Sequence, residues 1–132
     1  MNNIFVSSES PDGSHQCVVE GDERSVWAYL HSKEKKEILS DVPVCSLTPL
    51  LTVKEFKEKY SGDGAPPLVE GYFLQDCVYP KLENERIEIE WSTEGLDVLV
   101  DQQVVSRIEF GKKRGFSSFL TQDCPWGSPL KT

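Results

Sequence analysis

Residues Ile87 to Phe119 read I-E-I-E-W-S-T-E-G-L-D-V-L-V-D-Q-Q-V-V-S-R-I-E-F-G-K-K-R-G-F-S-S-F, and this alternation constrains the fold more than any other part of the chain. A strand has a side-chain period of two, so Ile87, Ile89 and Trp91 fall on one face and Glu88 and Glu90 on the other. Ser92-Thr93-Glu94-Gly95 supplies turn residues. Leu96, Val98 and Val100 then alternate with Asp97, Leu99 and Asp101, and Gln102-Gln103 turns the chain into a third strand over 104–110. The stretch predicts an antiparallel meander and contains no catalytic motif.

Upstream, Ser10-Pro11-Asp12-Gly13 is a strong turn, with Pro presetting φ and Gly tolerating positive φ. A strand follows over His15–Glu20, and Gly21-Asp22-Glu23-Arg24 reverses the chain into Ser25–His31. There Val26, Ala28 and Leu30 alternate with Trp27, Tyr29 and His31, so both faces carry apolar groups and the strand reads as central. Beyond the lysine-rich turn at 32–36, the segments 37–39 and 42–47 are flanked by Pro43 and Pro49, which predicts edge or irregular structure. One helix is expected over Val53–Tyr60, with Thr52 and Glu55 forming a capping box and Gly62 ending it. Residues 61–67 form a surface loop within a single domain spanning 1–132. Residues 68–79 suggest a strand bulged at Gly71, and 121–132 an irregular tail. The expected class is mainly β, a β-rich α+β fold of antiparallel meanders forming a sandwich or half-open barrel.

Length and composition agree, since 132 residues with 38% hydrophobic content suffice for one core. Fourteen basic against 22 acidic residues give a formal charge of −8. That field opposes nucleic-acid and anionic-membrane roles; it suits a basic protein partner, and the plainer reading is that it serves only to keep the chain in solution. No basic segment followed by an apolar run opens the sequence, and no stretch is long enough to span a membrane, so a cytoplasmic location is expected. Cys17, Cys45, Cys77 and Cys124 are widely spaced, without a C-x-x-C pair. They read as small buried apolar side chains rather than disulfides or zinc ligands, and no metal or cofactor is expected.

The candidate partner-binding residues are Glu88, Glu90, Asp97 and Asp101 on the polar face of the meander, with Trp91, Tyr79 or Trp126 as aromatic anchors. The plainer reading of that face is a solvated surface balanced by Arg86 and Arg107. Lys112, Lys113 and Arg114, between Gly111 and Gly115, form a candidate anion site, although the spacing is not that of a P-loop and a solvated hairpin tip also fits. His15 and His31 sit in no local nucleophile signature.

The turns at 10–13 and 92–95 are similar to each other and to the W-S-P-D-G turns of certain β-propeller repeats, but the chain is too short for a closed propeller. Trp91-Ser92-Thr93-Glu94-Gly95, Arg107-Ile108-Glu109-Phe110 and Arg114-Gly115-Phe116 together resemble a family of small bacterial proteins with the pattern W-S-x-D-G, an apolar strand, A-x-x-D-F and R-G-Y/F. Glu94 and Glu109 stand where that pattern has Asp, keeping the charge and losing the short Asx-type turn bond. The resemblance implies a fold and a bacterial source and brings no activity. The expected function is therefore a non-enzymatic binding protein, most concretely an immunity-type inhibitor whose acidic face covers a basic toxin. The rivals are a small hydrolase using a Cys or carboxylate, and a homo-oligomer pairing through edge strands.

Overall fold

The computed structural model describes residues 4–60, 62 and 65–130. Turn chemistry sets the first sheet. Strand β1 (Phe5–Glu9) passes through the Ser10–Gly13 turn into β2 (His15–Gly21). In that turn the Asp12 carboxylate accepts from the Ser14 amide at 3.0 Å and from the Ser10 hydroxyl at 2.8 Å, while Gly13 takes a φ of 75°. At the next reversal the Asp22 carboxylate accepts from the amides of Arg24 and Ser25, delivering the chain into β3 (Ser25–Ser32). β4 (Ile38–Ser46) completes a four-stranded antiparallel meander of order β1-β2-β3-β4. As expected, β3 is central.

Pro43 does not break β4, which runs as one strand with two register shifts against β3. β4 is the edge of its sheet, where a residue without an N–H is tolerated. Its free side is covered by the segment after β7, through Asp41 N–H to the Lys113 carbonyl at 3.3 Å and Gly115 N–H to the Asp41 carbonyl at 3.0 Å.

The second sheet is the meander read from the sequence: β5 (Ile87–Trp91), β6 (Gly95–Val100) and β7 (Gln103–Glu109). It continues through β8 (Phe116–Ser117), and β9 (Ser128–Pro129) pairs with β8 in parallel. The tail expected to be irregular thus contributes a short edge strand. The β6–β7 hairpin turns at Asp101-Gln102, one residue earlier than the sequence suggests. Both residues have positive φ, 52° and 69°, the primed-turn geometry that matches strand twist. Gly95 is required where it stands, because a Cβ there would run into the Ile108 carbonyl oxygen.

The strands form two sheets and no closed barrel, which fits the expected sandwich, and the Asp41 bonds tie the β4 edge to the segment entering β8. Val19, Val26, Ala28, Leu30 and Val42 from the first sheet share one continuous buried cluster with Ile87, Leu96, Val98, Val100 and Ile108 from the second. Burial of a Val, Leu or Ile side chain contributes about 1.5–3 kcal/mol. Polar ties cross the same interior: the buried Ser106 hydroxyl donates to the Pro43 carbonyl at 2.8 Å, and the Trp91 indole N–H donates to Ser8 Oγ at 2.9 Å.

The helix α1 (Val53–Lys59) has both capping-box bonds, Glu55 N–H to Thr52 Oγ1 and Thr52 N–H to Glu55 Oε1, each at 3.0 Å. It stops one residue short of the expected end, with Tyr60 as its carboxyl cap. Of the expected surface loop, residues Ser61, Asp63 and Gly64 lie outside the described residues. Pro67 is buried, and the Pro66 carbonyl accepts from Trp27 Nε1 and Ser25 Oγ, each at 3.1 Å.

The expected strand over 68–79 is absent. Gly71 takes a φ of 91°, and the backbone bonds of this stretch go to distant partners: Glu70 N–H to Leu51, Leu74 N–H to Phe119, Tyr79 N–H to Ser46. With its polar groups satisfied singly by three different segments, it forms isolated bridges and a 3-10 turn over Gln75–Cys77. No helix among the described residues is long and apolar enough to cross a membrane.

Candidate binding groove on the first sheet

The inner face of β3 belongs to the core, so the registers with β2 and β4 determine what its other face meets. Glu20 lies opposite Trp27 on one side, and Asp41 lies opposite Tyr29 on the other. Strand pleating puts Glu20, Trp27, Tyr29 and Asp41 on the same outward surface. Together with Gly21, Asp22, Ile38, Ala65 and Pro66 they line a groove of about 590 Å³. Trp27 is pinned by its bond to the Pro66 carbonyl and forms part of the groove wall. Ile38 is 56% exposed, an unusual state for a large apolar side chain at the edge of such a site.

The electrostatics of the groove are one-sided. Among the described residues, Glu20, Asp22 and Asp41 make no salt bridge. Burial raises the Asp41 carboxyl above its ordinary value. Tyr29 is pushed up to about 12, first by burial and then by the negative charges of Glu20, Asp41 and Asp22. Asp41 is half-buried beside the Tyr29 ring while Glu20 and Asp22 are exposed, and a cationic group would relieve their summed negative charge.

The residues singled out from sequence are distributed differently. Asp97 is held by Arg107 through two hydrogen bonds of 2.7 and 3.2 Å, and Asp101 by Arg86 through two of 2.7 and 2.6 Å. Glu90 pairs opposite Asp97 and Glu88 opposite Leu99, both glutamates exposed. The carboxylate face exists, and two of its four acids are already neutralised by the arginines of the plainer reading. Trp91 lies on the other face of β5, half-buried and bonded to Ser8, so it does not join these acids. Trp126 packs with Phe56, Tyr72 and Phe73 at ring distances of 5.9, 5.5 and 6.2 Å, far in the chain from the meander and engaged in packing.

The basic segment is largely committed as well. Lys112 pairs with Glu109 at 2.8 Å and lies over the Phe116 ring, and the Arg114 guanidinium donates to the Cys124 carbonyl at 2.6 Å. The amides of Lys112 and Gly115 are spent on Glu109 and Asp41. Lys113 is exposed, and its carbonyl serves β4. The segment covers a sheet edge, as lysine-rich tips do.

Nucleophilic chemistry finds little footing in the geometry. Cys17, Cys45, Cys77 and Cys124 are unpaired and buried. Burial pushes the Cys17 and Cys77 thiols up to about 12 and raises Cys45 too, which suppresses the reactive thiolate. Ser14 Oγ donates to Asp12 at 2.7 Å and lies 2.7 Å from His15 Nδ1. The direction of the Ser14–His15 contact depends on the ring tautomer, and the hydroxyl is shared with the Asp12 carboxylate. No group of three or more His, Cys, Asp or Glu among the described residues is arranged to hold a metal ion.

The groove was missed from sequence because its members come from three strands, the β2–β3 turn and a distant loop. The available signal was the second apolar face of β3, Trp27 and Tyr29, preceded by Glu20 and Asp22. Comparison of the chain with protein-family models, with curated proteins and with solved structures finds no match.

Proposed function

We propose that this protein is a non-enzymatic binding protein whose groove on the outer face of β2–β4 receives a cationic side chain of a basic protein partner. The observation that carries this reading is the set of Glu20, Asp22 and Asp41 around Trp27 and Tyr29, with no salt bridge to them among the described residues. An arginine suits the groove better than a lysine. Its planar guanidinium can fork to carboxylates and stack on Tyr29, and it is shed from water at lower cost. The net charge of −8 would speed encounter with a basic partner, while the apolar side chains Tyr29 and Ile38 would add contact area. An immunity-type inhibitor seated over the basic surface of a toxin is the most specific form of this reading. Four unpaired thiols support a reducing compartment such as the cytoplasm.

The test is a titration of the isotope-labelled protein with short arginine-rich and lysine-rich peptides, followed by amide chemical shifts at low and high salt. Saturable shifts at Glu20, Asp22, Tyr29 and Asp41, tighter for arginine and lost in Glu20→Gln/Asp41→Asn, are expected. Shifts confined to Glu88 and Glu90, or none at any peptide concentration, would overturn the assignment of the groove.

A further inference from the structure

The two similar turns noticed in the sequence, one from each sheet, are brought to the same end of the sandwich. Ser10, Pro11 and Asp12 from the β1–β2 turn and Ser92 and Thr93 from the β5–β6 turn line one cavity of about 490 Å³ with Trp91 and Phe110. The volume lies within the ordinary range of small-molecule sites, roughly 300–1,000 Å³. Its apolar walls are preset. Phe110 stacks against His15 at 4.6 Å and against Trp91 at 6.4 Å, with interplanar angles of 26° and 21°. Trp91 is further fixed by its indole bond to Ser8.

The polar lining is equally specific in kind. Among the described residues it consists of the hydroxyls of Ser10, Ser92 and Thr93 and one charged group, Asp12; the Ser10 and Ser92 hydroxyls are engaged within their own turns, which leaves Thr93 and the second Asp12 oxygen as the groups turned over to a ligand. Among the described residues no Lys or Arg lines the cavity, so none of them would hold a phosphate, a sulfate or an organic acid there. Aromatic walls attract polarised C–H groups to their electron-rich faces, while a carboxylate and hydroxyls accept and donate hydrogen bonds to neighbouring alcohols. A neutral sugar ring presents that combination, one face of C–H groups and a rim of hydroxyls.

We infer that the cavity between the Ser10–Gly13 and Ser92–Gly95 turns is a binding site for a neutral saccharide, with Trp91 and Phe110 as its apolar wall and Asp12 as its principal hydrogen-bond acceptor. The site is separate from the acidic groove and stands or falls independently of it. Only one Asp12 oxygen, Oδ1, is used by the turn, in bonds to Ser10 and Ser14.

The experiment titrates the full chain with glucose, galactose, N-acetylglucosamine and the β-1,4-linked disaccharides of glucose and N-acetylglucosamine, reading amide shifts and tryptophan emission. At least one sugar should give saturable shifts clustered at residues 10–12, 91–93 and 110, unchanged by salt. The 6-phosphate and uronic-acid forms of that sugar should bind more weakly, because Asp12 repels them. Asp12→Asn keeps the Oδ1 acceptor that the turn uses, so it should stay folded and weaken the sugar about tenfold, the usual worth of a hydrogen bond to a charged group. Phe110→Leu, with its fold checked by the same amide spectrum, should weaken binding while leaving the turns in place. Absence of saturable shifts with every sugar into the tens of millimolar, or shifts that map away from the two turns, would overturn the inference.

Discussion

The outer faces of the two sheets both carry acids, and they have been treated in opposite ways by the rest of the chain. On the second sheet Asp97 sits across from Arg107 and binds it at 2.7 Å, and Asp101 at the adjoining turn binds Arg86 at 2.6 Å. On the first sheet Glu20 and Asp41 have Trp27 and Tyr29 across from them instead of a base. A cross-strand arginine converts a charged face into a solvated, self-satisfied surface. An aromatic neighbour leaves the charge without a base and, at Asp41, partly dry. Acid count alone therefore does not identify a recognition surface; the identity of the residue one strand away does.

The largest expected contrast is in alkali. Cys17 and Tyr29 of the first sheet are each pushed up to about 12, from ordinary values of 9.0 and 10.0. Because the folded values lie above the unfolded ones, the stability linked to these groups is full below pH about 9 and is lost as pH rises toward 12. Hydrogen exchange at rising pH, corrected for intrinsic rates, should show protection failing first in β2–β4 and later in β5–β7. Equal or reversed loss would erase the distinction between the sheets.

Binding gives the next contrast. Glu20→Gln/Asp41→Asn should cost on the order of tenfold or more in affinity for an arginine-rich peptide, whereas Glu88→Gln/Glu90→Gln should change it less than about twofold. Isothermal titration of both variants reads the difference. Asp41→Asn alone should leave the melting temperature unchanged or raised, since it removes a half-buried charge whose ionisation the fold opposes. A clear loss of stability would mean that Asp41 has a structural partner.

A smaller effect is expected at Trp27→Phe, which removes the indole donor to the Pro66 carbonyl and should cost about 1 kcal/mol by denaturant unfolding. Smallest of all, Arg107→Ala should cost about 0.5 kcal/mol, shrinking in high salt, as a partly exposed pair would. A loss several times greater would show that the second sheet depends on its charge pairs rather than on Leu96, Val98 and Ile108.

Elements made from neighbouring residues were legible without the structure. Ser10–Gly13, the Thr52 capping box and the 87–110 meander each announce themselves because the atoms that satisfy one another lie within a few positions. The stretch 68–79 was not legible, since the partners of Glu70, Leu74 and Tyr79 are contributed by Leu51, Phe119 and Ser46. The hairpin at Asp101-Gln102 slipped by one residue because neither position carries the glycine that usually marks a primed turn. Ser128-Pro129 gave no strand signal, two residues being too few for a period.

By itself the sequence determined the class of fold, the positions of the strong turns, the helix and the central place of β3, all consequences of period and local hydrogen bonding. Tertiary structure alone decided which acids are paired, which aromatic rings meet them and that the two similar turns line one open pocket. Those outcomes depend on strand register and sheet stacking, where a neighbour in space is supplied by residues far away in the chain.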